Sequence, residues 1–344
     1  VNVQVKARSP QEHALDYVRR SSAGYALPPT LLSFDTHFRQ VIAPGRARAE
    51  IQRVCGVDVG FDLADDSLSA MLALTLLPAH SGNRDLISLL YQQVKQSRRG
   101  YRFRVFPKAP VSAAGTDCTA IAVTGMHRHQ LLVDQQADMF ASELLLASTV
   151  WDAEVGPHAG VMPVYWDDEP DSDRPLRERR HDAVIGANAL YAIHLAKGHT
   201  ADIVPTLDYL TEHLTSRAYL SGTRHYPSPD AFLCAAAELC AACERCDDKL
   251  GGLVRRALTE RMSDRGVCFA AIDMALRIIA ADLLGIQTRQ PQRREALAAL
   301  QDRDGSWPAC PYYRMGRIPL YFGSRSLTTL FALRALEPGG ADQP

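Results

Sequence analysis

The sequence has no excess of either charge. Across 344 residues, 38 Lys and Arg stand against 39 Asp and Glu, for a formal net charge of -1. A nucleic-acid surface needs a basic excess, so no nucleic-acid partner is expected. No apolar run approaches eighteen residues, which excludes a membrane-spanning helix but leaves a peripheral membrane contact compatible. There is no Gly-rich phosphate loop. Almost no segment alternates apolar and polar residues with period two, so little sheet is expected. No secretory leader precedes the cysteines, and the chain is far longer than a disulfide scaffold. Reduced thiols and a cytoplasmic protein are therefore expected.

What is present is self-similarity. Residues 1–60 read as an N-terminal helical segment, with helices over 11–20 (capped by Ser9, with Pro10 in the first turn), 31–42 and 47–54. A pattern then sets in. Asp65-Asp66-Ser67, Asp117-Cys118-Thr119, Asp182-Ala183-Val184, Pro229-Asp230-Ala231, the stretch 268–284 and Ser324-Arg325-Ser326 each open or form an Ala- and Leu-rich run. The first five are followed by an amphipathic stretch. The period is roughly 40–65 residues, the signature of a repeat fold. Helices apolar nearly all round should be buried, and those with one charged face should lie outside them. An open solenoid of helix pairs would fit. A closed ring of six inner and six outer helices fits equally and needs no capping repeats. The expectation is a single all-α toroid over residues 61–344, with residues 1–60 packed on it.

Ala114-Gly115-Thr116-Asp117-Cys118-Thr119-Ala120 sets a carboxylate where an apolar helix begins. Asp117 there suits a helix cap, and it equally suits a buried acid. A carboxylic acid stays protonated near neutral pH when burial among apolar groups raises its pKa. Asp65 and Asp66 form a second candidate pair at the start of the first apolar run. The acidic stretch Asp167 to Asp173 has the oxygen ligands that Mg²⁺ prefers, and Arg98, Arg99, Arg102, Arg104 and Lys108 could meet phosphates. Cys234, Cys240, Cys243 and Cys246 invite a zinc reading, but all lie on one Ala-rich helical stretch, so small core residues are the better account. His181, just before the third run, is placed to act as a terminating base.

Leu300-Gln301-Asp302-Arg303-Asp304-Gly305-Ser306-Trp307-Pro308 resembles the Gln–Trp repeat of the class II terpenoid cyclases, the family of squalene–hopene and oxidosqualene cyclases. Tyr321 to Thr329 resembles the start of their last inner helix. The family's acid motif, D-x-D-D-T-A, is similar to Gly115 to Ala120, and its following N-A-x-V-L segment is similar to Gly186-Ala187-Asn188-Ala189-Leu190. The three motifs fall in the family's order. The resemblance covers roughly residues 60–336 and implies an α/α toroid. It places Asp117 on the proton-donating aspartate and Asn188 on the residue that hydrogen-bonds it. Gly115 and Cys118 replace the other two aspartates, as in the D-C-T-A form of epoxide-protonating members.

The resulting expectation is a class II-like cyclase of a hydrophobic meroterpenoid or epoxy-isoprenoid. Asp117 would be the acid, with Cys118 and Asn188 as its orienting partners. The carbocations that follow need π-faces. Trp151, Tyr165, Trp166, Tyr191, Tyr226, Phe232, Trp307, Tyr312, Tyr313, Tyr321 and Phe322 lie near expected inner-helix starts and could supply them, with core packing the alternative for each. No cofactor is needed unless the substrate is a diphosphate, when Mg²⁺ would enter. The alternatives are a Mg-dependent cyclase of a prenyl diphosphate and a non-catalytic toroid that binds a lipid or a protein. The family's larger members close their cavity with a second helical domain. Here residues 1–60, a partner subunit or a homodimer contact would have to do so.

Overall fold

The computed structural model describes residues 8–22, 27–28, 30–63, 66–79, 81–109, 114–149, 158–166, 180–197, 204–263 and 271–337. In chain order the elements are α1 (Pro10–Ser21), β1 (Leu31–Ser33), α2 (Pro44–Cys55), α3 (Leu68–Leu76), α4 (Arg84–Gln96), β2 (Arg98–Arg99), β3 (Arg102–Phe103), β4 (Ala114–Gly115), α5 (Thr116–Arg128) and α6 (Asp134–Thr149). There follow β5 (Tyr165–Trp166), α7 (Ala183–Lys197), α8 (Val204–Thr215), α9 (Pro229–Ala242), α10 (Glu244–Cys246), α11 (Gly252–Ser263), α12 (Ala271–Leu283), α13 (Gln290–Ala298), β6 (Tyr313–Arg314), β7 (Tyr321–Gly323) and α14 (Arg325–Leu336).

The apolar helices close a ring. α3 packs on α5, α5 on α7, α7 on α9, α9 on α12, α12 on α14, and α14 returns to α3. Each is buried nearly all round, as its composition requires. Outside them lie α4 on α3, α6 on α5 and α7, α8 on α7, α11 on α9 and α12, and α13 on α12 and α14. The sixth outer position, against α14, is taken by α1 from the other end of the chain. The fold is thus an all-α toroid. Gly125 marks one close approach: a Cβ there would meet Leu74 Cβ at 2.7 Å, so α5 presses on α3 without a side chain between them.

The Gln–Trp-like segment ties this ring shut. Gln301 Nε2 donates to Pro10 O and Gly305 O at 2.9 and 3.0 Å, and Trp307 Nε1 donates to Leu297 O at 2.8 Å. Trp307 N donates to Thr329 Oγ1 at 3.1 Å. Gly305 has φ +92°, and a Cβ there would stand 2.4 Å from His13 O, so only glycine lets α1 dock. Trp307 is fully buried in this staple between α13 and α14, a structural role rather than the substrate contact expected of it.

Strands are few and short, as expected. β1, β7 and β6 form a three-stranded antiparallel sheet, with Leu32 opposite Phe322 and Phe322 opposite Tyr313. With α2 it encloses a second small core that includes Leu32, Ile51, Phe106, Leu320 and Phe322. One expected helix is absent. Residues 31–42 form β1 and a turn instead, because the Asp35 carboxylate accepts from His37 N and Arg39 N and competes with helical bonding. Pairing with β7, over 280 residues away, was not visible in the local pattern.

Candidate active site

The start of α5 is held from two sides. Gly115 pairs with Tyr165 of β5, and Thr116 N donates to Val164 O at 3.0 Å. Thr119 Oγ1 donates to Gly115 O at 2.9 Å and accepts from Phe103 N at 3.0 Å. The T-D-C-T run therefore fixes its own helix start between β3 and β5, and Asp117 emerges in the first turn, inside the ring rather than at its surface.

Asp117 is 5% exposed. Its Oδ1 accepts from Asn188 Nδ2 at 2.9 Å, and its Oδ2 accepts from the Tyr226 hydroxyl. Both donors are neutral. Burial pushes the Asp117 carboxyl up to about 6, against the downward pull of the two hydrogen bonds, and the nearby carboxyl of Asp182 adds to the rise. Each oxygen keeps a second lone pair, so the acid can carry its proton while both bonds stand. Asp182 is also buried. Its Oδ1 accepts from Val184 N and its Oδ2 from His225 N, both at 3.0 Å, and burial raises its pKa as well.

Aromatic rings surround Tyr226. Tyr312 and Tyr313 meet it edge-on at 5.3 and 5.7 Å. The Tyr313 hydroxyl lies 3.1 Å from His225 Nδ1, and the two rings stack. Burial first, then the charge of Arg224, holds His225 down to about 4, so it is neutral. A small cavity of about 50 Å³ lies inside the ring, and Asn188, which bonds Asp117, is among its lining residues. Leu72, Ile121, Asn188, Cys234, Leu276 and Phe331 line it, one from each inner helix. Tyr312 and Tyr191 also line it. The Glu238–Arg334 ion pair, at 2.7 Å, also lines it, more than two helical turns beyond the starts of α9 and α14.

Other candidates are placed elsewhere. Cys118 is buried, and a Cβ on residue 115 would stand 3.3 Å from its sulfur. Among the described residues no hydrogen bond joins it to the Asp117 carboxylate, so Cys118 packs where an orienting partner was expected. The same contact couples the two departures from the family motif, since a larger residue at 115 would press on the thiol. Asp66 is buried, but Thr30 N and Oγ1 both donate to its Oδ2 at 2.8 Å, and Leu68 N donates to its Oδ1. It therefore ties the N-terminal segment to the start of α3, a capping role rather than an acid's. Asp65, Trp151, the stretch 167–173 and the side chain of Trp166 lie outside the described residues.

Phe232 is fully buried and points outward, against His213 and Tyr219. Tyr321 sits half-buried on an outer recess beside Phe34 and Asp35, not on the axial cavity. Phe322 reaches the site only through Tyr313, 5.6 Å away. Tyr165 meets His225 edge-on at 6.1 Å. Arg98 lies over the Tyr101 and Phe140 rings and Arg102 pairs with Glu143, on the outer side against α6. Cys243 Sγ accepts from Cys246 N at the turn after α9, and among the described residues no group of three or more metal-ligating side chains converges. His181 Nδ1 lies 3.1 Å from Met162 O, in a ring cluster with His158 and Tyr209.

The sequence reading missed the role of Tyr226, which it took for one rim aromatic among many. It named Asp182 only as the start of the third run, and it missed His225 altogether. The available signal was Thr223-Arg224-His225-Tyr226 immediately before the Ser228-Pro229 start of α9, where a loop can reach across the rim.

Comparison with known proteins agrees with this architecture. No family profile matches the chain. Over 178 residues, 52% of its length, the chain is 30% identical to the drimenol cyclase drtB of Aspergillus calidoustus. It spans about a third (31%) of the length of that curated relative. Among solved structures it superposes on the type II terpene cyclase MstE from Scytonema, in complex with geranylgeranyl dihydroxybenzoate, with a TM-score of 0.61 at 11% identity over 95% of both chains. A protein from Actinoplanes gives the same TM-score at 13% identity, over 95% of this chain and 97% of that one. The chain has the helical toroid of the class II terpene cyclases and a stretch of sequence similar to a drimenol cyclase.

Proposed function

We propose that the chain is a class II-type terpenoid cyclase that starts cyclisation by protonation from Asp117. The observation that carries this reading is a carboxyl group buried inside the ring and, among the described residues, bonded only by the neutral donors Asn188 and Tyr226, where burial pushes its pKa up to about 6. The drimenol cyclase likeness and the MstE fold support the substrate class, a hydrophobic isoprenoid. The finer assignment is a meroterpenoid or epoxy-isoprenoid. An epoxide oxygen is far easier to protonate than an alkene, and the motif around Asp117 lacks the carboxylates at Gly115 and Cys118.

In the first step the Asp117 O–H bond breaks and its proton passes to the epoxide oxygen. The C–O bond opens, and a neighbouring C=C attacks the carbon left electron-poor. Successive π-bonds close rings until the last cation loses a proton to water, and the Asp117 carboxylate regains one from solvent. Asn188 and Tyr226 stabilise the carboxylate left behind by hydrogen bonding, which lowers the cost of the transfer. Tyr312, Phe331 and Tyr191 line the cavity, and their rings would supply π-electrons to the passing cations. The step asks for no metal.

The test is product analysis of wild type and Asp117→Asn on a panel of epoxidised and plain isoprenoids, with and without a chelator. Cyclised product that is indifferent to chelator and lost in the variant is the expected outcome. Cyclisation that survives Asp117→Asn would remove the acid from its role.

A further inference from the structure

The cavity inside the ring has a level floor. Its deepest lining residues are Leu76 on α3, Thr124 on α5, Tyr191 on α7, Glu238 on α9 and Arg334 on α14, each eight or nine residues beyond the first residue of its helix. At 1.5 Å per residue that is about 12–14 Å from the helix starts. Asn188, whose amide bonds Asp117, and Ala231, near the start of α9, line the same cavity closer to the acid.

A bar crosses this floor. Arg334 Nη1 donates to Glu238 Oε1 at 2.7 Å. Their helices are not neighbours in the ring, since α12 stands between α9 and α14 and packs on both. The ion pair therefore spans the lumen. Among the described residues that line the cavity these two alone are charged, and as a pair they carry no net charge to attract an ionic guest. Above them the wall is largely apolar, with Leu72, Ile121, Leu276 and Phe331, and the small side chains of Cys234 and Ala235 on α9 leave the space open.

We propose that the Glu238–Arg334 bar fixes the length of hydrocarbon chain that the ring accepts. Each methylene laid along the apolar wall raises affinity about fourfold. A chain end driven onto the bar strips water from two charges and returns no hydrogen bond, so the gain stops there. That the chain is an isoprenoid rests on the cyclase reading, but the length limit is measurable without turnover.

The experiment is calorimetric titration of the whole protein with straight-chain alkyl maltosides of increasing length, each below its micelle concentration. The sugar is too bulky to enter, so the chain end leads. In wild type, affinity should rise about fourfold per added methylene and then level off. Two variants should move that plateau in opposite directions. Glu238→Ala/Arg334→Ala removes both charges together and leaves neither unpaired, so the rise should continue at about fourfold per methylene beyond the wild-type plateau. Ala235→Leu places a larger side chain in the lumen, three residues before Glu238, and should bring the plateau at a shorter chain. Ala235→Leu decides alone if the double variant does not fold. No binding of any chain, no plateau in wild type, or a plateau that neither variant moves would overturn the proposal. Plateaus that move as expected, with no cyclisation of any isoprenoid by wild type, would leave the length limit standing and remove the cyclase reading. Cyclisation with unmoved plateaus would do the reverse.

Discussion

Asp117 and Asp230 stand in the first turns of α5 and α9, both almost wholly out of water at 5% and 1% exposure, and their surroundings are opposite. Asp230 is clamped by two guanidiniums, Arg261 from α11 and Arg277 from α12, each with a contact of 2.9 Å. Asp117 meets an amide and a phenol. Asp66 and Asp182 head α3 and α7 with backbone N–H groups as their main company. Four inner helices thus begin beside a buried aspartate. Burial alone makes each carboxylate costly. The charge of its partner decides whether that cost is cancelled, as at Asp230, or left to favour the protonated form, as at Asp117.

The comparison can be broken most sharply at the acid. Asp117→Asn should lower cyclisation by roughly 10² to 10⁴, read by product analysis. The same substitution should not cost stability at pH 8. Wild type has a folded-state pKa near 6, above the ordinary carboxylate range. Stability present below about pH 4 is therefore lost as pH rises through 6, by about 1.4 kcal/mol for every tenfold difference in acidity between the folded and unfolded chains. The amide has no such loss, so its denaturation midpoint should equal or exceed that of wild type at pH 8. A clear drop there would mean that Asp117 is structural.

Asp230→Ala should behave the other way. It leaves two buried guanidiniums without their carboxylate and should cost about 3–5 kcal/mol in urea unfolding. Retention of full stability would erase the contrast between the two aspartates. A smaller effect is expected from Tyr226→Phe. Its hydroxyl pulls the Asp117 pKa down, so removing it should raise that pKa. The pH at which activity falls should then move upward from about 6, measured as a pH–rate profile. A downward or absent shift would put the hydroxyl outside the acid's control. Smallest of all is Cys118→Ala, which removes a packed sulfur and no bond to the acid. Product formation should persist, with a stability loss of about 1 kcal/mol, and loss of activity would restore the thiol to the catalytic group.

Much of the ring was legible. Inner helices announce themselves by being apolar on every face, and outer ones by their single charged face, because the first are wrapped by protein and the second by water. The pair Asp117 and Asn188 was legible through motif order, and the structure sets their side chains 2.9 Å apart. Residues 31–42 were misread because a strand of three residues is defined by its partner, not by its own pattern. Phe232 and Trp307 were misplaced for a related reason. An aromatic near a helix start can turn inward or outward, and only its neighbours, His213 and Tyr219 for one and Leu297 for the other, decide which.

The sequence by itself determined an all-α repeat and the order of its layers, since periodicity and capping are local properties of the chain, and its resemblance to a family motif pointed to the helix that carries Asp117. Tertiary structure alone decided that α1 would complete the outer layer and that Asp230 would be neutralised by two arginines while Asp117 would not. It also decided that Tyr226, 109 residues downstream, would hold that acid. A carboxyl group's chemistry depends on what lies within a few ångströms of it, and those neighbours arrive from distant parts of the chain.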